Sequence, residues 1–299
     1  MKYKILISSI NGPLGYELVK YLKKYFYILG CDSQSYGLGS KICDEFHLCP
    51  HGNSKDFLIF LNEINPRVNQ FFLFADEEIL NLSQNRHKYK EVILKTLISS
   101  HETINLCNNK LQLKKYLKNY FTLPKEKAKK IIIKPLIGRG SKNQIILTEN
   151  ISKFYKTFNE DRNFFIEEFI EGKEYTIDCV YNFDNKLIYA LIRERIIKSS
   201  LSVVGKIIKD KKIIEFIKQL SKRLDFIGNV NIQVIVNKKN KIYLTDINPR
   251  VSGSIIFSIK AGFNPFTFAK QILNNKITKP PSKIKYGKTY YRYWKTFKD

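Results

Sequence analysis

The sequence predicts two architectures in one chain: an α/β unit up to about residue 95, then, beyond about residue 100, an α+β unit with antiparallel sheets. Three observations predict this. Apolar runs alternate with helical stripes at the start, as in a parallel sheet wrapped by helices. The later strands come as hairpins around short polar turns. The chain has 299 residues, 43% of them hydrophobic, enough apolar material to bury more than one layer.

Residues 4–10 form an apolar run that stops at Asn11-Gly12-Pro13-Leu14-Gly15, so they read as a first strand and are too short for a signal peptide. Leu14, Leu18, Val19, Leu22 and Tyr25 then fall on one helical stripe. A second strand, residues 25–31, ends in Asp32; residues 55–64 are helical, and residues 70–75 form a strand closed by Asp76-Glu77-Glu78. This alternation implies a parallel sheet with any ligand at the carboxyl ends of its strands. A helix-rich bridge covers residues 89–120.

The rhythm then changes. Strands over 130–135 and 143–148 enclose the loop Gly138-Arg139-Gly140-Ser141, and a helix over 151–158 follows. Residues 164–169 form a strand that turns at Glu171-Gly172, and 175–182 and 186–193 pair around Phe183-Asp184-Asn185. Residues 199–205 read as a flexible stretch. Ile213, Phe216, Ile217, Leu220 and Leu224 give a helix over 211–225 its buried face. Strands over 229–236 and 241–247 flank a turn, and one last helix over 254–274 leads into a basic tail.

The net charge is +25, but only nine of the 52 basic residues are Arg and the charge is spread along the chain. Nucleic-acid binders concentrate Arg and Lys in stripes with interleaved aromatics, so nucleic acid is not the expected partner. A basic surface would still gather anionic small molecules such as nucleotides. No apolar run approaches a membrane span, and five cysteines without paired spacing or an export signal read as a reducing, cytoplasmic setting.

Chemistry concentrates in three places. The first is the strand pair Asn231-Ile232-Gln233-Val234 and Thr245-Asp246-Ile247-Asn248-Pro249-Arg250. Alternation puts Asp246 and Asn248 on one face, where Gln233 can join them as an oxygen donor set for Mg²⁺. Pro249 turns the chain so that Arg250 can clamp a phosphate. The second is Ile131-Ile132-Ile133-Lys134-Pro135 with Gly138, Gly140 and Ser141 after it, an ammonium at a pocket edge beside backbone N–H groups for phosphate oxygens. It is not a Walker P-loop. The third is Phe165-Ile166-Glu167-Glu168-Phe169 with Glu174 just past the turn, suited to adenine and to ribose hydroxyls. Each has a plainer reading as solvated residues at strand ends.

In order and spacing these three features resemble the ATP-grasp superfamily, most closely the ATP-grasp unit of the carbamoyl-phosphate synthase large chain and its stand-alone relatives. The resemblance implies a Rossmann-like pre-ATP-grasp domain over residues 1–95, including Asp32 and Asp76-Glu77-Glu78, and a helical bridge over 96–125. It further implies a small lid subdomain over 126–170, a C-terminal ATP-grasp subdomain with the metal site over 171–275, and a basic tail over 276–299. Lys110 and Lys134 are the implied nucleotide lysines; Gly138, Gly140 and Ser141 the loop over the phosphates; Glu167, Glu168 and Phe169 the adenine stretch; Glu174 the ribose glutamate. Gln233, Asp246 and Asn248 are the implied metal ligands for Mg²⁺, with Mn²⁺ as a substitute, and Arg250 and Lys134 the catalytic cations. Asp246 stands where the family often has Glu, and Asn143 where a further glycine is frequent.

The implied activity is an ATP-dependent carboxylate–amine ligase acting through an acyl phosphate on small-molecule substrates; a homodimer is common for this architecture. Arg193 and Arg195 are candidates to hold a substrate carboxylate, against a surface charge cluster. Ser252 and Ser254 either line the same pocket or cap the last helix. Rival readings are a nucleotide-binding protein without catalysis and an ATP-dependent small-molecule kinase. A dehydrogenase is disfavoured because only Gly12 and Gly15 of the dinucleotide fingerprint are present. A zinc site from Cys43, His47, Cys49 and His51 lacks a Cys-x2-Cys knuckle, so a packed strand is preferred there.

Overall fold

In the three-residue apolar core of the first strand, Ile5, Leu6 and Ile7 are all buried, which is what a sheet covered on both faces demands. The computed structural model describes residues 2–125, 128–136, 144–149, 151–157, 164–198, 202–276, 280–293 and 296. β1 (Tyr3–Ile7), α1 (Gly15–Leu22), β2 (Phe26–Asp32), α2 (Leu38–Ile42), β3 (Glu45–Leu48), α3 (Lys55–Ile64), β4 (Gln70–Phe72) and α4 (Asp76–Gln84) form the first unit. Its strands are all parallel, in the order β3-β2-β1-β4. Ile5 and Ile7 of β1 pack with Leu18 and Leu22 of α1, while Leu6 packs on the opposite face with Phe57 and Leu61 of α3. Ser54 starts α3 by accepting the Phe57 N–H at 3.1 Å. The expected strand over 70–75 is shorter, because the chain turns after Phe72 so that Asp76, Glu77 and Glu78 occupy the first turn of α4, where acids favour the helix N-terminus.

Three helices, α5 (Lys90–Thr96), α6 (His101–Asn108) and α7 (Lys110–Leu117), lead to a small antiparallel sheet in the order β6-β5-β7: β5 (Ile131–Pro135), β6 (Ile145–Leu147), then α8 (Ile151–Thr157) and β7 (Phe164–Glu168). The remaining chain builds a six-stranded sheet from β8 (Gly172–Tyr181), β9 (Leu187–Lys198), β10 (Ser202–Ile208), β11 (Gly228–Asn237) and β12 (Ile242–Asn248), with α9 (Lys211–Leu220), α10 (Ile255–Lys260) and α11 (Pro265–Leu273) against it. A short β13 (Thr289–Tyr291) completes the order β12-β11-β8-β9-β10-β13. Ile177, Cys179, Ile232 and Val234 cover one face together with Ile213, Ile217 and Leu220 of α9 and Leu113 and Leu117 of α7. Val180, Leu191 and Ile207 share the other core with α10, α11 and β1, so one apolar cluster joins the six-stranded sheet to the parallel one. No described helix is long and apolar enough to cross a membrane.

Three expectations change. The stretch expected to be flexible runs into β10: Ser202–Ile208 pairs with β9 across a register shift, and Ser202, Val204 and Ile207 are buried. The single helix expected over 254–274 is two. Gly262 sits at φ +109°, where a side chain is strained, and Asn264 caps the new start by accepting the Phe266 N–H, with Pro265 at its first position. The basic tail is not all surface charge, since β13 pairs with β10 through Thr289, Tyr290 and Tyr291.

Candidate nucleotide and metal site

The register of the six-stranded sheet assembles a polar row. Gln233 is paired with Asp246 on one side and Thr176 on the other, and Asn231 with Asn248 and Asp178. Directly paired residues share a sheet face, so Gln233, Asp246 and Asn248 stand together as the sequence predicts. A bulge leaves Thr245 out of register, and its hydroxyl donates to the Gln233 carbonyl at 3.1 Å. The bulge resets the alternation, so that Leu244 and Ile247 reach the core while Asp246 and Asn248 face the row.

Cations from three other elements meet this row or the nearby Glu167 of β7. Lys110, first residue of α7, has its Nζ 3.8 Å from Asp246 Oδ1. Lys134, near the end of β5, has its Nζ 2.5 Å from Glu167 Oε1, and Lys114 of α7 lies 3.6 Å from the other oxygen of that carboxylate. Arg195 is ion-paired with Glu174 and lies 3.5 Å from Gln233 Oε1. The Asn248 amide donates to Asp246 Oδ2 at 2.9 Å and accepts from Arg250 Nη2 at 3.3 Å. Arg250 in turn binds Asp76, at the head of α4, through Nε at 2.5 Å and Nη2 at 3.1 Å. Burial lowers the pKa of the Arg250 guanidinium, but Asp76, aided by Asp246 and Glu77, more than offsets it and holds it above the ordinary arginine value.

Each basic residue expected to meet phosphate is therefore paired with an acid of the same site. The donor set for a metal is one carboxylate and two amide groups, all able to present oxygen. That chemistry fits a hard cation which keeps water and phosphate ligands. Among the described residues no cluster of three His, Cys, Asp or Glu side chains offers a rival metal site.

Other expected residues fall as follows. Gly138, Gly140 and Ser141 lie outside the described residues. The Glu168 and Phe169 amides donate to the Lys125 and Lys130 carbonyls at 2.7 and 2.9 Å, so these two N–H groups serve the small sheet rather than a base. A narrow crevice between α7, β7 and β12, lined by Leu113, Lys114, Phe165, Glu167 and Leu244, encloses only ≈ 20 Å³, about one water. It marks the apolar seam between the sheets but does not stand open to a purine.

Arg193 corrects one of the two readings made of it, the surface charge cluster. It is wholly buried, neither a surface charge nor a strand-end residue open to solvent, and its Nη1 donates to Asp178 at 3.1 Å, to the Ser254 carbonyl at 3.0 Å and to Ser258 at 3.3 Å. Ser254 precedes α10 without a side-chain cap; its hydroxyl accepts the Ser202 N–H at 3.2 Å. Ser252 is buried and its hydroxyl has no partner. Sequence reading missed Asp76 as the partner of Arg250, Lys114 as the second cation on Glu167, and the buried Asp178–Asn231 pair. Lys114 alone left a signal, one turn after Lys110 on the same helix face.

A family model described as ATP-grasp in the biosynthetic pathway with Ter operon matches residues 160–291. The tyramine–L-glutamate ligase of Methanocaldococcus fervens is 31% identical over 215 residues, which is 68% of this chain and 66% of that protein. The carbamoyl phosphate synthase large chain of Clostridium acetobutylicum is 23% identical over 216 residues, 67% of this chain but 19% of that one. The chain thus spans less than two thirds of the length of either relative. N5-carboxyaminoimidazole synthetase from Staphylococcus aureus superposes with a TM-score of 0.71 at 16% identity, covering 93% of this chain and 79% of that one, a likeness of fold alone. The matched segment carries the polar row of β8, β11 and β12, and the shared fold extends over the parallel sheet that supplies Asp76: the chain belongs to the ATP-grasp superfamily.

Proposed function

We propose that the chain is an ATP-dependent carboxylate–amine ligase that forms a C–N bond and releases ADP and phosphate through an acyl phosphate. The observation that carries this is the row of Gln233, Asp246 and Asn248 with Lys110 and Arg250 against it, oxygen donors and fixed cations on one sheet face. In this reading residues 1–95 are a Rossmann-like pre-ATP-grasp domain, residues 126–170 a lid, and residues 171–275 the metal-binding subdomain.

Gln233, Asp246 and Asn248 would hold Mg²⁺, which when bound neutralises charge on the β- and γ-phosphates. Lys110 and Lys134 exchange Asp246 and Glu167 for phosphate oxygens, so the nucleotide replaces ion pairs that the site already contains. Glu174, released from Arg195, accepts from ribose hydroxyls. Arg250, fixed by Asp76, keeps its charge at the transferred group without reorganisation. A substrate carboxylate oxygen attacks the γ-phosphorus, the bond to the β-phosphate oxygen breaks, and ADP leaves. An amine then attacks the acyl carbon, phosphate departs with the former carboxylate oxygen, and the amine loses a proton.

By likeness to tyramine–L-glutamate ligase, the first acid and amine to test are L-glutamate and tyramine. The test is ADP release from Mg-ATP with these and with pooled carboxylates and amines, comparing wild type with Asp246→Ala. Release that requires both acid and amine and disappears in the variant supports the ligase. Release with acid alone supports a kinase. Mg-ATP binding without release under any pool supports a nucleotide-binding protein.

A further inference from the structure

Two arginines close together are left with unused donors inside the protein. Arg193, wholly buried, has no hydrogen-bond partner at Nε or Nη2 among the described residues. Arg292, just past β13, donates Nη2 to the Gly253 carbonyl at 3.2 Å, but among the described residues it has no partner at Nε or Nη1, which are also buried. Both guanidinium carbons lie 5.6 Å from the ring centroid of Phe257. The buried Ser252 hydroxyl, without a partner, belongs to the same loop, next to the Gly253 and Ser254 carbonyls that these arginines bind.

The charges do not balance either. Among the described residues Asp178 is the one carboxylate bonded to this pair, and it already serves Arg193, the Ser258 hydroxyl at 2.5 Å and the Asn231 amide at 3.3 Å. Arg292 has no ion-pair partner among the described residues; Glu17, the acid acting on it through space, is 2.8 Å from Lys260. Burial lowers the pKa of both guanidinium groups, with repulsion from Arg195 adding to it at Arg193 and repulsion from Arg193 adding to it at Arg292. Buried donors and an unneutralised buried charge are both costly, and an oxyanion relieves both at once. The space is also shaped for the arginine. A Cβ on Gly205 would stand 2.9 Å from Arg193 Cδ, so the glycine lets the Arg193 stem lie under β10.

We propose that Arg193, Arg292 and Ser252 form an oxyanion subsite that receives a second acidic group of the acid substrate. The identity of the ligand rests on the ligase reading. Arg193 is paired with Thr176, which is paired with Gln233 and then Asp246. It therefore stands three strand spacings, about 14 Å in Cα position, from the metal-binding carboxylate. The Arg193 head reaches one strand back toward that carboxylate, to Asp178 of β8, and the Ser252 loop follows Arg250 directly. A short dicarboxylate would then place one acid at the phosphate end and the other between the two arginines, and a monocarboxylate would leave the second position unfilled.

The test is calorimetric binding of succinate, glutarate, adipate and L-glutamate, with butyrate as the single-acid control, to wild type, Arg292→Gln and Arg292→Lys. At least one diacid is expected to bind wild type 10-fold or more tightly than butyrate. Arg292→Gln is expected to lose that preference, with butyrate affinity unchanged, and Arg292→Lys to recover part of it. Equal binding of diacids and butyrate by wild type, or an unchanged preference in Arg292→Gln, overturns the proposal. Inorganic phosphate separates the sources of the anion: Arg292-dependent phosphate binding without diacid preference overturns the substrate assignment. Mg-ATP binding to wild type, read on its own, reports on the ligase reading, so its failure leaves the diacid result interpretable.

Discussion

Arg250 and Asp76, 174 positions apart, meet in a two-point ion pair, Nε to Oδ1 at 2.5 Å and Nη2 to Oδ2 at 3.1 Å. One end belongs to the loop that follows β12 and the other to the first turn of α4, at the carboxyl end of β4. The parallel sheet thereby fixes a side chain of the six-stranded sheet.

Asp76→Asn is expected to lower unfolding free energy by about 1–3 kcal/mol, the lower part of the range for breaking a buried pair because Asp76 is partly exposed. Its effect on turnover should be larger in kcat than in KM for ATP, with kcat falling roughly 10-fold or more because Arg250 loses its orientation. Chemical denaturation and steady-state ADP release check the two halves.

Lys134→Ala removes one of two cations on Glu167 and leaves Lys114 at 3.6 Å. Stability should therefore fall by no more than about 1–2 kcal/mol. ADP release should fall about 100-fold or more if Lys134 stabilises the transferred phosphoryl group. Thermal unfolding beside turnover separates these effects.

Glu78 gives a pH signature. Burial raises its pKa from 4.5 to about 7, against the opposing hydrogen bonds from Ser8, the Ala75 amide and Ser9, with Glu77 adding to the rise. The folded state thus holds this proton more tightly than the unfolded chain. Its contribution is fully present below about pH 4.5 and is lost as pH rises to about 7, a change of about 3 kcal/mol. Urea unfolding from pH 4.5 to 8 should show that part of the slope in wild type and lack it in Glu78→Gln.

Gly228→Ala is expected to destabilise by about 2–4 kcal/mol. Gly228 opens β11 at φ +72°, and a Cβ there would stand 2.0 Å from the Leu97 carbonyl oxygen. Backbone atoms cannot yield as a flexible side chain can. Denaturant midpoints of the alanine variant and wild type measure the cost.

The site was legible in the sequence wherever local pattern decides geometry. Asp246, Asn248 and Arg250 follow one another along a strand, so alternation and Pro249 were enough to place them. Gln233 needed only a hairpin. The burial of Arg193 was not legible because strand alternation tells which face a residue takes but not what covers that face, and here α10 and β10 bury it. Asp76 and Arg292 could not be read as partners of this region, since each arrives from a distant segment by tertiary packing. The split of the last helix was legible after the fact: Gly262 and the Asn264-Pro265 start were in view, but an apolar stripe running through them outweighed the break.

β12 is an edge strand, and its outer side is tied down by the Leu244 N–H donating to the Thr122 carbonyl at 3.3 Å. Thr122 lies just beyond α7, whose first amide, at Lys110, donates to the Leu136 carbonyl at the end of β5 at 3.4 Å. One short helix is thus tethered at its front to the small sheet and just behind its rear to the strand that carries Asp246. A tilt of the small sheet would act on this helix as on a crank, and the strand bearing Asp246 would feel the torque.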